Sequence, residues 1–255
     1  MSKCVLISVG RILVFLTLFI VTSCTTKPED LSENVPISKI LNLADKAKIK
    51  KRFSEAGNFY MEIDRLHPYS DESRLALVEA MKSYHDGGDL LNSRISAKRY
   101  LALYPSGENA AFSQYMIGLS FFDAIVDVER DQGAASHAVR EFTHLINAYP
   151  TSSFVKQVKS KLITAHSQLA GQEMSVGRFY MRRQDYLAAT NRFLVVTEKY
   201  FDTVFSVEAF YRLTEVYLVM GLTDLAEQNN VELLQAFPNS DWALKSTKLI
   251  NAYTG

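Results

Sequence analysis

Few residues in this chain of 255 are placed to do chemistry. It carries 2 Cys and 5 His. None of His67, His85, His137, His144 and His166 forms an HExxH pair or stands close to a cysteine, the spacings that would signal zinc. His137 and His144 could share a helix face, but scattered surface histidines account for all five. Gly87-Gly88 fits a turn between helices better than a phosphate-binding GxGxxG after a strand, and no GxSxG elbow occurs. The one acidic cluster is Asp123, Asp127, Glu129 and Asp131. Paired carboxylates can bind Ca²⁺ or act as acid and base. Here Arg130 interrupts them and the EF-hand ligand order is missing, so a solvated loop or a partner contact is the better reading. The sequence presents no catalytic, cofactor or metal site.

Cys24 is the exception. Lys3 and Arg11 flank the start of the apolar run Ile12 to Val21, and no acidic residue appears before Glu29. An apolar run of roughly 7–15 residues behind positive charge is a secretory leader, shorter than the about 20 residues of a membrane span. The run ends in Val21-Thr22-Ser23-Cys24, an aliphatic residue, two small ones and a Cys. This resembles the lipobox of bacterial lipoproteins, where the thiol receives diacylglycerol, the leader is cut before the Cys, and the new amine is acylated. The bland alternative is an ordinary signal peptide with a Cys there by chance. On the lipobox reading, residues 1–23 are a signal peptide, Cys24 is the lipid attachment site, and residues 24–36, with Pro28 and Pro36, are an extended tether. Cleavage removes Cys4 and leaves one thiol, so no internal disulfide can form. Each buried acyl CH₂ contributes about 0.8 kcal/mol, and two or more chains anchor stably. Thr25 and Thr26 follow Cys24; in well-studied lipoproteins an Asp there retains the protein at the inner membrane, so Thr points to the periplasmic face of the outer membrane. Losing Lys3 and Arg11 with the leader turns the formal charge of zero into −2, which argues against a nucleic-acid binder, whose domain would be strongly basic.

The remaining elements are announced by a recurring stop: His67-Pro68-Tyr69-Ser70, Tyr104-Pro105-Ser106, Tyr149-Pro150-Thr151-Ser152 and Phe237-Pro238-Asn239-Ser240. A fifth copy, Tyr200-Phe201-Asp202-Thr203, lacks the Pro. Proline cannot extend a helix and biases the residue before it away from the α region, so each copy closes a helical pattern. A repeated stop implies stacked helical units. The expected fold is all-α: an α-solenoid of about five tetratricopeptide-like helix pairs spanning 37–255. The repeats fall at about 37–68, 70–105, 107–150, 153–201 and 204–238, with a capping helix over 239–253. Counting back from Phe201, the residues Phe193, Ala189, Tyr180 and Gly177 stand where that repeat takes an aromatic, an alanine, a tyrosine and a small residue. Tyr60, Ala56 and Ala44 before Pro68, and Ala226, Gly221 and Tyr217 before Pro238, repeat parts of the pattern. The third copy keeps Phe142 and Ala138 before Pro150, but Gly118 and Phe121 sit too far back, so an inserted loop is expected around Asp127 to Gly133. The long fourth unit implies a first helix from about Phe154 to Arg182. The missing Pro marks the fourth turn as non-standard. Trp242, Tyr60, Tyr84 and Tyr100 all have packing explanations. The basic run Lys46, Lys48, Lys50, Lys51 and Arg52 is a solvated face or a contact with an anionic surface.

The third unit is distinctive. Tyr115-Met116-Ile117-Gly118-Leu119, then Asp127-Val128-Glu129-Arg130-Asp131-Gln132, then His137-Ala138-Val139-Arg140-Glu141-Phe142 follow one another. With the lipobox, tether and repeats, this resembles the BamD family, lipoproteins of the outer-membrane β-barrel assembly (BAM) complex. Ser175 to Tyr180 and Asn191-Arg192 resemble that family's fourth repeat, and the likeness covers residues 24–253. It departs at Phe201, usually Pro, and at Phe179, commonly Tyr. The resemblance implies a non-enzymatic subunit that assists folding and insertion of outer-membrane proteins. Its C-terminal repeats would dock on a POTRA domain of BamA, beside other BAM lipoproteins. Its N-terminal repeats would help receive C-terminal segments of unfolded outer-membrane proteins. It implies that Arg192, with Asn191, contacts BamA through a carboxylate there, and that Asp127, Arg130 and Asp131 are insertion-loop contacts. From the residues alone, Arg192 reads as a solvated helix arginine. Another tetratricopeptide lipoprotein, a secretin pilotin or a cell-wall or division adaptor, would share the anchor and repeats but lack the acidic insertion.

Overall fold

Apolar stripes of helical period, interrupted by short polar turns, fold here into a row of hairpins. The computed structural model describes residues 35–125 and 132–254. Their helices are α1 (Ile37–Ile49), α2 (Phe53–Leu66), α3 (Asp71–Asp86), α4 (Leu90–Leu103), α5 (Ala110–Phe122), α6 (Gly133–Ala148), α7 (Val155–Arg182), α8 (Tyr186–Lys199), α9 (Ser206–Val219), α10 (Thr223–Ala236) and α11 (Asp241–Thr254). No strand occurs among the described residues. Each helix packs on the next, and the first helices of neighbouring pairs also touch: α3 with α5, α5 with α7, α7 with α9, and α9 with α11. First helices therefore form the inner wall of a solenoid and second helices the outer one. Cys24, Asp127, Arg130 and Asp131 lie outside the described residues, as do the expected signal peptide and most of the expected tether.

The stops work as local sterics require. His67, Tyr104, Tyr149 and Phe237 leave their helices at φ between −132° and −137° and ψ between 57° and 60°. Each carbonyl accepts the N–H three residues on, from Ser70, Gly107, Ser152 and Ser240. Tyr200 does the same without a proline: φ is −126°, ψ is 35°, and its carbonyl accepts from Thr203 N at 3.1 Å. The Thr203 hydroxyl donates to that carbonyl at 2.7 Å. The fourth turn therefore keeps the hydrogen bond of the other stops while its ψ departs from theirs, which lie between 57° and 60°. The Phe201 ring packs on Phe237 at 5.4 Å and on Phe210 at 6.3 Å.

Inside the pairs, close helix contact depends on glycine. A Cβ on Gly177 would sit 2.5 Å from the Phe193 ring, and one on Gly118 would sit 2.4 Å from the Phe142 ring. Both phenylalanines are fully buried. The third pair therefore keeps the same contact as the fourth although the stretch between α5 and α6 is longer. The inserted segment lengthens the connection and leaves the packing register untouched.

The core is a chain of clusters rather than one centre. Leu77, Met81, Tyr100, Ile117, Phe142 and Val158 belong to one, and Met174, Phe193, Val196 and Leu213 to another. Helix α7 joins them: at 28 residues and 1.5 Å per residue it is about 42 Å long. Its first half packs with α5 and α6, its second with α8 and α9. α11 closes the array, with the Trp242 ring packed on Tyr211 at 5.0 Å and tilted by 40°.

Candidate functional site

Two ladders of charged and aromatic side chains run across the inner wall, one on each side of the middle of α7. In the N-terminal ladder, Lys48 on α1 donates to Glu79 on α3 at 2.7 Å, and Lys82 donates to the same carboxylate at 2.9 Å. Burial pushes the Glu79 carboxyl up, but the two lysine hydrogen bonds outweigh it and hold it below the usual range. Lys82 also lies over the Phe112 ring at 5.5 Å, and Phe112 packs on Phe154 at 5.6 Å. Phe154 in turn stacks on Tyr115 at 4.8 Å. Phe112 and Phe154 line an open cavity of about 460 Å³, floored by the turns that carry Ser106 and Pro150. Lysines, aromatic rings and a cleft bounded by turn backbone are the components that hold an extended peptide.

The C-terminal ladder is more fully paired. Arg178 on α7 donates to both oxygens of Glu208 on α9 at 3.1 and 3.2 Å. Arg212 reaches Glu208 at 3.2 Å and Glu215 at 2.7 Å. Its guanidinium lies over the Trp242 ring at 5.7 Å, which Lys245 also covers at 4.4 Å. These groups satisfy one another, so this half of the wall is a stiff seam.

Arg192 and Asn191 are exposed on α8, on the outer layer. Arg192 Nη1 donates to Glu173 Oε2 on α7 at 3.1 Å, with the arginine side chain 44% exposed and the glutamate 21%. The solvated arginine expected from the residues is therefore already oriented by a partner in its own chain. Five donors in a planar fork let one guanidinium hold Glu173 and still present donors outward. Sequence reasoning missed Glu173, because the two residues meet only through the register of α7 on α8.

The other candidates fall into place as packing. Tyr60 and Tyr84 are buried and donate to Asp45 at 2.9 Å and Asn58 at 2.7 Å. Burial, then Asp89, pushes the Tyr84 hydroxyl up to about 12. Tyr100 is fully buried against Tyr104. In the basic run, Lys48 and Arg52 are paired, and Lys46, Lys50 and Lys51 are exposed. Asp123 pairs with His85 at 2.8 Å. Among the described residues, no group of three or more His, Cys, Asp or Glu could hold a metal ion, and no helix is long and apolar enough to cross a membrane.

Residues 34–233 match the model of the YfiO family, described as an outer membrane lipoprotein. The outer membrane protein assembly factor BamD of Caulobacter vibrioides is 31% identical over 225 residues, covering 88% of this chain and 74% of that one. The chain belongs to the BamD family. BamD of Rickettsia prowazekii is 31% identical over 240 residues, covering 90% of this chain and 92% of its own. BamD of Vibrio cholerae is 24% identical over 233 residues, with 88% and 96% covered. Among solved structures, the TPR2AB domain of yeast Sti1 aligns over 86% of this chain and 84% of its own at 11% identity, with a TM-score of 0.40. The repeat assignment rests on the helix pairs themselves. The BamD family match takes in both inner ladders up to Glu215, together with Arg192 and Glu173; it ends within α10, so α11 lies beyond it.

Proposed function

We propose that this chain is a non-enzymatic scaffold of outer-membrane protein assembly, held by lipid on Cys24 at the periplasmic face of the outer membrane. Its two halves divide the work. The C-terminal half docks on a POTRA domain of BamA through the outer face of α8, with Arg192 and Asn191 in contact and other BAM lipoproteins alongside. The N-terminal half offers the lysine and aromatic ladder and the cleft at Phe112 and Phe154 to C-terminal segments of unfolded outer-membrane proteins. Asp127, Arg130 and Asp131 of the inserted segment are further contacts.

The observation that carries this reading is the state of Arg192. It is half exposed on the α7–α8 hairpin, and Glu173 aims its guanidinium. An arginine pre-oriented this way loses little entropy when a partner carboxylate completes its fork. An exposed ion pair such as Arg192 with Glu173 adds only about 0–1 kcal/mol of stability, so its placement is not explained by folding alone.

The test is copurification of BamA with chains tagged at the C-terminus. Arg192→Met and Arg192→Glu should sharply reduce recovery at unchanged helical circular dichroism, the Glu variant more because it faces Glu173. Full recovery with both variants would sink the docking site. In the same cells Cys24→Ser should shift the chain from the outer-membrane to the soluble periplasmic fraction. Full retention in the membrane would sink the anchor.

A further inference from the structure

A second groove lies on the other flank of α8, turned away from Arg192. It runs between the outer helices α8 and α10 and encloses about 240 Å³, enough for the stem of a long side chain. Leu194, Leu213, Tyr217 and Leu225 make its apolar lining, and Glu198 on α8 and Glu232 on α10 stand on its two sides. Neither carboxylate forms an ion pair among the described residues; Glu232 accepts only a weak bond from Gln228 at 3.3 Å. Burial raises the Tyr217 hydroxyl, and Glu232 and then Glu198 raise it further, so both carboxylates act on the groove.

Two more observations indicate what the groove lacks. Helix α10 carries Asp224, Glu227 and Glu232 and no Lys or Arg, whereas the nearby acids of the inner wall are paired with arginines. Asn229, which lines the groove and is 7% exposed, donates from Nδ2 to the Phe210 carbonyl at 2.6 Å and the Thr214 hydroxyl at 2.8 Å. Both bonds use the nitrogen, leaving the carboxamide oxygen as an acceptor. An apolar trough with two unneutralised carboxylates and an acceptor is complementary to a guanidinium on an aliphatic stem.

We infer that the groove between α8 and α10 is a docking site for a segment of another protein that presents an arginine between apolar residues. The arginine stem lies along Leu194 and Leu225, its fork is shared by Glu198 and Glu232, and flanking apolar side chains cover Tyr217. Arg192 faces away from this groove while Asn191 borders it, so the Arg192 contact and the groove can each fail without the other.

The experiment is fluorescence anisotropy with the mature chain and a fluorescein-labelled synthetic octapeptide of alternating Leu and Arg. Three companion peptides carry Lys, citrulline or Glu in place of Arg. The Arg peptide should bind best, Lys more weakly, and citrulline and Glu not measurably. Glu198→Gln with Glu232→Gln, a nearly isosteric pair of changes, should weaken the Arg peptide by about tenfold or more. Asp224→Asn with Glu227→Gln, which keeps the groove but removes equal charge from the same helix, should change it less than about twofold. Arg192→Met should leave it unchanged. Equal loss from both double variants would mean general attraction to an acidic helix and would overturn the site. So would unchanged binding in the groove variant. A wild-type dimer in sedimentation that the groove variant abolishes would also overturn it, since the occupant would then be a second copy of this chain.

Discussion

The third and fourth helix pairs make the same contact by different routes. Gly118 meets Phe142 and Gly177 meets Phe193, each so closely that no Cβ fits. Yet α5 and α6 are separated by residues 123–132, while α7 and α8 are joined by Arg183 to Asp185. The fourth pair is irregular instead in the length of α7, whose first half serves the preceding cluster. The repeat is thus defined by a packing contact, and chain length between the partners is free to vary. Loop closure costs only about 0.6 kcal/mol per doubling of length, so an insertion is cheap if the contact survives.

The sharpest way to break this equivalence is to delete the knobs. Phe142→Ala and Phe193→Ala should each cost about 3–5 kcal/mol in urea unfolding followed by circular dichroism. A markedly smaller loss for Phe142 would show that the insertion has loosened the third pair.

Filling the holes gives the next largest effect. Gly118→Ala and Gly177→Ala should each destabilise by about 1–3 kcal/mol, because a buried ring cannot swing aside as a flexible side-chain end would. If only one alanine is tolerated, the two contacts differ in rigidity despite their similar distances.

The smallest change sharpens the contrast between the connections. The turns of the first, second, fourth and fifth pairs each hold one left-handed residue: Lys51 at φ 55°, Gly88 at 75°, Gln184 at 62° and Gly221 at 74°. A side chain in that region is strained, so Gln184→Gly should stabilise by about 0.5–1 kcal/mol. A loss of stability on that change would mean that the glutamine side chain holds the turn.

Much of the fold was legible before any coordinate. The Pro stops placed helix ends, and the small and aromatic positions counted back from Phe201 are those that interlock in the fourth pair. The long α7 was legible as an overlong spacing. What the missing Pro at Phe201 did not reveal is that Thr203 N and its hydroxyl both bond the Tyr200 carbonyl, so the stop survives with a different ψ. The site was less legible. Arg192 was found only through family likeness. Glu173, the inner ladders and the groove at Glu198 and Glu232 gave no signal, since their members lie on different helices with no shared period.

The sequence by itself determined where helices stop and which faces are apolar. Those are short-range properties: the backbone of a residue before proline and the period of a stripe. Only the tertiary structure decided that Gly118 still reaches Phe142 across an insertion. It alone showed that Arg192 is held by Glu173, and that Glu198 and Glu232 on two outer helices have no ion-pair partner among the described residues. These depend on the register of one helix on another, which is set by many weak packing contacts summed over whole faces.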